Sequence, residues 1–188
     1  MVLSVIVPDK RAGMRRMLGH ELKDIDSEII FDKWGVGLAK AKGDFVCLLE
    51  HDSAISKGSI ARQLEPFLNN PRFRKLAMVA PLVEFDDTEP LALSSFGATD
   101  HPHYPQLTRA GCAGGAIIRR SSLLKFADLI DKHISDFSYE LSVAFWENGL
   151  RVISDPLSVY YSPQNARRGS VLQISNNTLE LWKRECIA

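Results

Sequence analysis

Short apolar runs alternate with segments of helical apolar spacing along most of this chain. We expect strands at residues 2–7, 28–31, 45–49, 76–83, within 111–120, 151–154 and 157–161, and helices at 11–23, 36–42, 57–68, 122–131, 137–148 and 175–185. Strands that alternate with helices are joined by crossover connections, which are typical of a parallel sheet covered on both sides. The pattern therefore predicts an α/β fold, with a doubly wound, mostly parallel sheet and helices on both faces.

The chain has 188 residues, enough for one domain with a well-buried core. We predict that residues 1–162 form this domain and that residues 163–188 are a C-terminal tail of it with a helix. Residues 84–110 are rich in acids, proline, histidine and small residues, and we expect a long loop there. Loops of that length inside a compact domain are usually functional or mobile.

Two acids follow the apolar run 45–49, at Glu50 and Asp52. Ligands of open α/β sheets bind beyond the carboxyl ends of the strands, and residues two apart in an extended segment point to the same side. The two carboxylates are therefore candidate ligands of one hard divalent cation, Mg²⁺ or Mn²⁺, which in turn can hold a diphosphate. This chemistry suits a nucleotide-sugar site. The alternative is that both acids only solvate the strand end and help to cap the next helix.

Composition adds little evidence for other partners. The net charge is zero, so the field of the whole chain does not favour nucleic acid or membrane. Three unevenly spaced cysteines, with Cys47 inside a predicted core strand, argue against a disulfide framework or a zinc cluster. These features favour the cytoplasm, or the host cytoplasm if the chain is phage-encoded. No apolar run approaches the roughly 18 residues of a membrane span, so no membrane insertion is expected.

Several motifs occur in an order typical of one enzyme family. They are Ser4-Val5-Ile6-Val7-Pro8, then Ala39 to Asp44 followed by Leu48-Leu49-Glu50-His51-Asp52, then Gly114-Gly115-Ala116 through Arg119-Arg120, and Leu141 through Gly149-Leu150-Arg151-Val152. In this order they resemble the family 2 glycosyltransferases of the GT-A fold. The resemblance covers most of residues 2–161 and suggests a small, reduced member.

The resemblance implies a metal-dependent enzyme that moves a sugar from a nucleotide-sugar donor, with a UDP-sugar favoured, to an acceptor hydroxyl by inversion. A divalent metal, held by Asp52 and Glu50, would neutralise the charge on the departing diphosphate. Donor binding is expected from Pro8, Asp9, Lys10, Asp32, Lys40, Glu50, Gly114, Gly115 and Arg119. The acceptor is a saccharide, a protein or a hydroxymethylated base in phage-type DNA, and no oligomeric state is predicted.

An inverting transferase also needs a general base for the acceptor hydroxyl. The family usually supplies an acidic pair at the start of its late helix, where this chain has Phe137-Ser138. Asp136 and Glu140 lie one helical turn apart around that position, and either is a candidate catalytic base. The alternative for Asp136 is that it caps the N-terminus of the helix.

Other departures from the family pattern support a second hypothesis. A strand and helix are missing after Asp32, and Trp34-Gly35 replaces the family's Arg-Asn pair. Tyr160-Tyr161-Ser162 stands where the family often has a histidine that completes the metal site. His101 and His103 lie in the long loop, where they contact acceptor or metal or are simply solvated. These departures motivate the alternative of a catalytically silent nucleotide-sugar or carbohydrate-binding module.

Overall fold

The computed structural model describes residues 1–8, 10, 12–51, 53–69, 74–85, 106–108, 111–130 and 134–162, and only the backbone of 83–85, 106, 134–136 and 162. Its strands are β1 (Leu3–Val7), β2 (Ser27–Phe31), β3 (Phe45–Leu48), β4 (Ala54–Ile55), β5 (Leu76–Phe85), β6 (Gln106–Leu107), β7 (Ile117–Arg119) and β8 (Arg151–Ser162). Its α-helices are α1 (Ala12–Glu21), α2 (Trp34–Lys40), α3 (Ser59–Asn69), α4 (Arg120–Leu123) and α5 (Ile134–Glu147), with a 3-10 helix at Leu124–Leu129 after α4.

The described strands form one sheet in the order β2-β1-β3-β7-β5-β8-β4, with β6 paired to β8. Strands β1, β2, β3, β5 and β8 run in one direction, and β4, β6 and β7 run in the other. The sheet is therefore mostly parallel, as the alternating pattern predicts. Short β7 lies antiparallel between β3 and β5, which the sequence pattern did not reveal.

Helices cover both faces of this sheet. Successive side chains of the buried strands point to opposite faces, so each face has an apolar layer that packs against helices. In β3, Val46 and Leu48 belong to the core layer that also contains Leu38 of α2 and Phe137, Leu141, Phe145 and Trp146 of α5. Phe45 and Cys47 belong to the opposite layer, with Met14 and Leu18 of α1 and Ile60 and Leu64 of α3. Burial of each large apolar side chain contributes about 1.5–3 kcal/mol. The predicted α/β fold with helices on both faces is confirmed.

Several element boundaries differ from the prediction. The predicted strands 151–154 and 157–161 form one strand, β8, which contains a bulge between these two parts. Pro81 of β5 is paired with Asp155, whereas the next residue, Leu82, is paired with Val159. The Asp155 carboxylate holds the bulge by accepting hydrogen bonds from the Leu157 N–H at 3.0 Å and from the Ser158 hydroxyl. The predicted helix 122–131 is instead the short α4 followed by the 3-10 helix.

The long segment 84–110 and the tail lie mostly outside the described residues. Within the described part, β5 extends to Phe85, and Gln106–Leu107 add a short strand beside β8. The predicted helix 175–185 is outside it. Among the described residues no helix has both the length and the apolar character of a membrane span.

The short strand β4, which follows β3 in the sequence, lies at the other end of the strand order. Its residues Ala54 and Ile55 pair with Tyr161 and Tyr160 on the side of β8 away from β5. Glu50, just after the end of β3, is in contact with Tyr160 of β8, although β7 and β5 separate these two strands in the sheet. The candidate site lies at this contact.

Candidate functional site

The carboxyl ends of the three adjacent parallel strands β2, β1 and β3 form one edge of the sheet. Asp32 follows β2, Pro8 follows β1 and Glu50 follows β3. The backbone joins these ends directly, because the Asp32 N–H donates to the Val7 carbonyl at 3.1 Å and the Leu49 N–H donates to the Ile6 carbonyl at 2.9 Å. Three predicted donor-binding residues therefore share the edge where α/β proteins bind ligands.

Glu50 is held by a tyrosine from the other end of the chain. The Tyr160 hydroxyl donates to Glu50 Oε2 at 2.7 Å, and the Glu50 N–H donates to the same hydroxyl oxygen at 3.3 Å. Glu50 is 6% exposed and Tyr160 is fully buried. Burial, together with the negative charge of Glu50, raises the pKa of Tyr160 well above its usual value, so the phenol remains a hydrogen-bond donor at neutral pH.

Gly114 and Gly115 pack directly on the ring of Tyr160. A Cβ added to Gly114 would lie 2.8 Å from Tyr160 Cε1, and one added to Gly115 would lie 2.6 Å from Tyr160 Cδ2. Gly115 also has a φ of +70°, which other residues rarely adopt. Its N–H donates to the Leu48 carbonyl at 2.8 Å, so this turn is fastened to the end of β3. Only glycines allow the backbone to approach Tyr160 so closely.

Gln63 supports the same turn from α3. Its Nε2 donates to the Gly115 carbonyl at 3.1 Å, and its Oε1 accepts a hydrogen bond from the Ile117 N–H at 3.2 Å. The side chain is fully buried. Because buried backbone groups need partners, this one amide satisfies two groups where the turn enters β7.

Helix α5 begins beside the same turn. The Ser138 hydroxyl accepts a hydrogen bond from the Ala113 N–H at 2.9 Å, and the Ser142 hydroxyl accepts one from the Gly111 N–H at 3.1 Å. Cys112 lies between these contacts, and burial, with the charge of Glu50 adding to it, raises the pKa of its thiol to about 12. The thiol is therefore protonated and unreactive at neutral pH.

Trp34 connects the end of β3 to the first turn of α5. Its Nε1 donates to the Leu49 carbonyl at 2.8 Å, and its ring lies 6.0 Å from that of Phe137. Asp136 directly precedes Phe137 and is the third residue of α5, inside the helix rather than at the capping position. The backbone of one candidate base is thus near the end of β3, while its side chain lies outside the described part.

Asp32 and Lys40 form a second pair on this edge. Lys40 Nζ is 2.7 Å from Asp32 Oδ2, and the Lys33 N–H donates to Asp32 Oδ1 at 2.9 Å. The hydrogen bond from Lys40, followed by that from Lys33, lowers the pKa of Asp32, and the charge of Lys10 adds to the effect. Asp32, Lys40 and Lys10 therefore form one partly exposed charged group near Pro8.

Two predicted site residues are not brought to this edge. Arg119 is paired with Phe45 at the start of β3, so antiparallel β7 carries it to the opposite edge from Gly115. There its Nε donates to the Leu76 carbonyl at 3.2 Å. Glu140 lies about 200° around α5 from Ser138 and faces away from the Gly114 turn. It lines a surface groove with Phe126, Asp128, Leu129, Tyr139, Val143, Ala144 and Glu147.

The predicted metal site depends on a residue outside the described part. Asp52 and Asp9 are both there, as are His101 and His103. The carboxylate of Glu50 is of the oxygen type that Mg²⁺ and Mn²⁺ prefer. Within the described ranges, however, no three His, Cys, Asp or Glu side chains come together to hold a metal ion.

Solved structures with a similar arrangement of strands and helices include complexes with UDP and with a UDP-sugar. The chain superposes on S. aureus TarS 1-349 with a TM-score of 0.53 and 14% identity, covering 87% of this chain and 60% of that one. The UDP-GlcNAc complex of TarS 1-349 gives 0.52 at 13% identity, over 100% of this chain and 66% of that one. GalNAc-T7 with UDP, GalNAc and Mn²⁺ gives 0.55 at 11% identity, over 97% and 48%.

The chain has a GT-A-like fold. It spans less than two thirds of these neighbours. At such low identity the likeness shows the fold and not the activity. No family model matches the sequence, and no curated protein matches it either.

On this GT-A-like fold, two buried residues at the end of β3 were not among the predicted site residues: Tyr160 and Gln63. The sequence shows Tyr160 only as a departure from the family's histidine, and nothing in the spacing reveals that it reaches Glu50. Gln63 lies on the helix predicted from apolar spacing, and a polar residue among Ile60 and Leu64 is the signal that could have indicated a buried role. Both stabilise the edge of the sheet at the end of β3, Tyr160 through Glu50 and Gln63 through the Gly115 carbonyl.

Proposed function

We propose that the chain is a glycosyltransferase that moves a sugar from a nucleotide-sugar donor to an acceptor hydroxyl. The observation that carries this proposal is the buried cluster of Glu50, Tyr160, Gly114 and Gly115 at the carboxyl edge of a GT-A-like sheet. The cluster places a carboxylate next to a backbone turn that is held in place at the end of β3. Such an edge suits a metal-bound sugar diphosphate, because carboxylate oxygens are the ligands that the metal prefers.

The donor is proposed to be a UDP-sugar. TarS 1-349 has been solved with UDP-GlcNAc, and GalNAc-T7 with UDP, which supports this choice. We assign the nucleotide to the side of the edge formed by Pro8, Asp9, Lys10, Asp32 and Lys40. Asp32 would accept hydrogen bonds from the base, and the two lysines would favour the negative charge of the diphosphate.

A divalent metal, Mn²⁺ or Mg²⁺, is proposed to bind through Asp52 and Glu50 together with diphosphate oxygens. GalNAc-T7 was solved with Mn²⁺, which supports a metal-dependent reaction here. When bound, the metal neutralises the charge that develops on the departing diphosphate. Glu50 would serve as a ligand of the metal or as a hydrogen-bond acceptor for a ribose hydroxyl, and the glycine turn would lie beside the donor sugar.

The acceptor hydroxyl must lose its proton as it attacks, and a carboxylate at the start of α5 is the proposed base. Asp136 is the first candidate, because it precedes Phe137, which contacts Trp34 at the end of β3. Glu140 is the second candidate, although it faces the surface groove. A single displacement by this base would invert the anomeric centre. The acceptor is proposed to be a saccharide, a protein or a hydroxymethylated base in DNA.

The test is release of nucleoside diphosphate from UDP-, GDP- and dTDP-sugars with Mn²⁺, with and without acceptors. We expect UDP release that falls at least about a hundredfold in Asp52→Ala, since removal of electrostatic stabilisation in a transition state costs ~3 kcal/mol or more. The matched control is Asp24→Ala, an exposed acid in the turn before β2. Equal UDP release in wild type and Asp52→Ala would contradict the metal role, and no release from any donor would contradict the enzyme.

One observation favours a second function. Tyr160 stands where the family 2 glycosyltransferases often have a metal-completing histidine, and its hydroxyl donates to Glu50. This arrangement would also suit a module that binds a nucleotide-sugar without transferring it. Calorimetry that detects UDP-sugar binding, combined with an unchanged donor after long incubation with acceptors and Mn²⁺, would support the module and overturn the enzyme.

A further inference from the structure

Tyr160 contacts Glu50 at two places. Its hydroxyl donates to the carboxylate at Oε2, 2.7 Å away, and accepts the backbone N–H of the same residue at 3.3 Å. A hydrogen bond between a neutral donor and a carboxylate is stronger than one between neutral groups. The pair of contacts therefore constrains both the backbone and the side chain of Glu50.

Tyr160 is itself held rigidly. Its ring is fully buried under Gly114 and Gly115, whose added Cβ atoms would lie under 3 Å from it. Its backbone pairs with Ile55 of β4 on one side and with Val83 of β5 on the other. Because two strands and a turn fix this side chain, its hydroxyl has a fixed position and can orient the group to which it is hydrogen-bonded.

We propose that Tyr160 is a positioning residue that fixes the Glu50 carboxylate before the donor binds. This inference rests on the proposed function, in which Glu50 contacts the donor or its metal. The ligand chemistry is that of a carboxylate oxygen, which suits either a ribose hydroxyl, whose hydrogen bond it accepts, or a divalent cation.

The same contact links the donor-binding turn to the acid. Any displacement of Tyr160 would move Gly114 and Gly115 as well as Glu50, because all three pack on or bond to one side chain. Preorganised groups bind a ligand more tightly, since no ordering cost is left to be paid on binding. Removing the hydroxyl while keeping the ring should therefore weaken donor binding without removing the turn.

The test is Tyr160→Phe, compared with Ser4→Ala as the matched control. Both changes delete a buried hydroxyl that donates to a carboxylate, to Glu50 in one case and to Glu28, away from the site, in the other. Thermal melting should show that both variants fold with similarly lowered stability. Calorimetry with UDP and Mn²⁺ should show about tenfold weaker UDP binding in Tyr160→Phe and unchanged binding in Ser4→Ala. Equal affinity in all three proteins would overturn the inference.

A double-mutant cycle distinguishes action through Glu50 from a general packing effect. If Tyr160 acts through Glu50, Tyr160→Phe should have almost no further effect on UDP affinity in a Glu50→Ala background, where no side-chain oxygen accepts the Tyr160 hydroxyl. A full tenfold loss in that background would overturn the inference. Titrations with Mn²⁺ alone, with UDP alone and with both identify the ligand of Glu50: Tyr160→Phe weakens Mn²⁺ binding if it is the cation, or metal-free UDP binding if it is the ribose.

A second variant keeps the proposal testable if Tyr160→Phe does not fold. Glu50→Asp retains the charge but shortens the side chain by one methylene, so it leaves Tyr160 and its packing in place. We expect UDP binding about tenfold weaker than in wild type, and wild-type affinity would overturn the inference. Wild-type protein that binds no nucleotide at all would instead overturn the proposed function itself, which is a distinguishable result.

Discussion

Two carboxylates at the same edge of the sheet have hydrogen bonds of the same length in opposite environments. Asp32 is 2.7 Å from Lys40, with side-chain exposures of 29% and 59%. Glu50 is 2.7 Å from the Tyr160 hydroxyl, in a pair that is almost completely buried. Water and salt compete with the first contact, whereas burial largely protects the second from both. The distance alone therefore says little about how strongly each contact fixes its carboxylate.

This difference divides the proposed donor site into two parts with different functions, one around Asp32 and Lys40 and one around Glu50 and Tyr160. The exposed pair can exchange partners at little cost, so it suits a part of the site that must accept and release a charged ligand. The buried pair cannot be broken without leaving a carboxylate unpaired in the interior, which is costly. It therefore suits a part that keeps its geometry throughout. Substitutions on the two sides should separate stability from ligand affinity.

The largest expected effect is on the buried side, at Gly115. Gly115→Val requires a β-branched residue at a φ of +70° and places its Cβ against the Tyr160 ring. We expect a loss of ~3 kcal/mol or more in the free energy of unfolding, measured by urea denaturation. The control is Gly19→Ala in α1, where an added Cβ meets nothing within 4 Å and stability should rise by about 0.5 kcal/mol. Similar stability of Gly115→Val and wild type would contradict the described packing.

The next effect is expected at Gln63. Gln63→Leu keeps the size of the side chain but leaves the Gly115 carbonyl and the Ile117 N–H without their buried partner. We expect a destabilisation of ~2 kcal/mol by denaturation. Since the turn would be loosened rather than blocked, UDP binding should weaken but persist. A variant as stable as wild type would mean that the amide is not needed by the turn.

Glu28 lies between the two extremes and allows a test by pH. Burial acts to raise its pKa, but hydrogen bonds from the Ser4 hydroxyl and the Lys42 N–H, both at 2.7 Å, outweigh burial and lower it below the usual 4.5. A carboxylate whose pKa is lowered in the folded state stabilises that state above 4.5, and the contribution is lost as the pH falls through the lowered value. The difference in melting temperature between wild type and Glu28→Gln should therefore be largest near neutral pH and shrink in acid. A difference that grows in acid would reverse the sign and exclude this account.

The smallest effect on stability is expected on the exposed side. Asp32→Asn should leave the melting temperature unchanged, because its partner Lys40 is largely in water. UDP affinity should nevertheless fall severalfold, since the carboxylate is the proposed acceptor for the base. Calorimetry at low and high salt checks both points. A clear loss of stability with intact affinity would interchange the functions assigned to the two pairs.

The sequence predicted the buried side only in part. An apolar run that ends in acids is a local pattern, so it is enough by itself to place Glu50 at the end of a core strand. Tyr160 could not be placed beside it, because the contact joins residues 110 positions apart on strands that are not neighbours in the sheet. The bulge of β8 was not predicted either, because the sequence pattern divides this strand into two, at 151–154 and 157–161.

Arg119 illustrates a second limit of the sequence pattern. The residues of β7 show that a strand is present but not in which direction it runs. Because β7 is antiparallel, the turn at Gly115 lies at the end of β3, whereas Arg119 pairs with Phe45 at the start of β3 and so reaches the other edge of the sheet. The fold class was more predictable, because it follows from the periodicity of many residues rather than from the direction of one short strand.

The 110 residues that separate Glu50 from Tyr160 have a consequence for synthesis on the ribosome. Loop closure over such a span is entropically costly, and topologies rich in distant contacts fold slowly. A nascent chain that has released β1 to β3 already carries the acid but not the residue that holds it. We therefore expect nucleotide affinity to appear only after β8 has emerged from the ribosome and inserted beside β5, late in the synthesis of the chain.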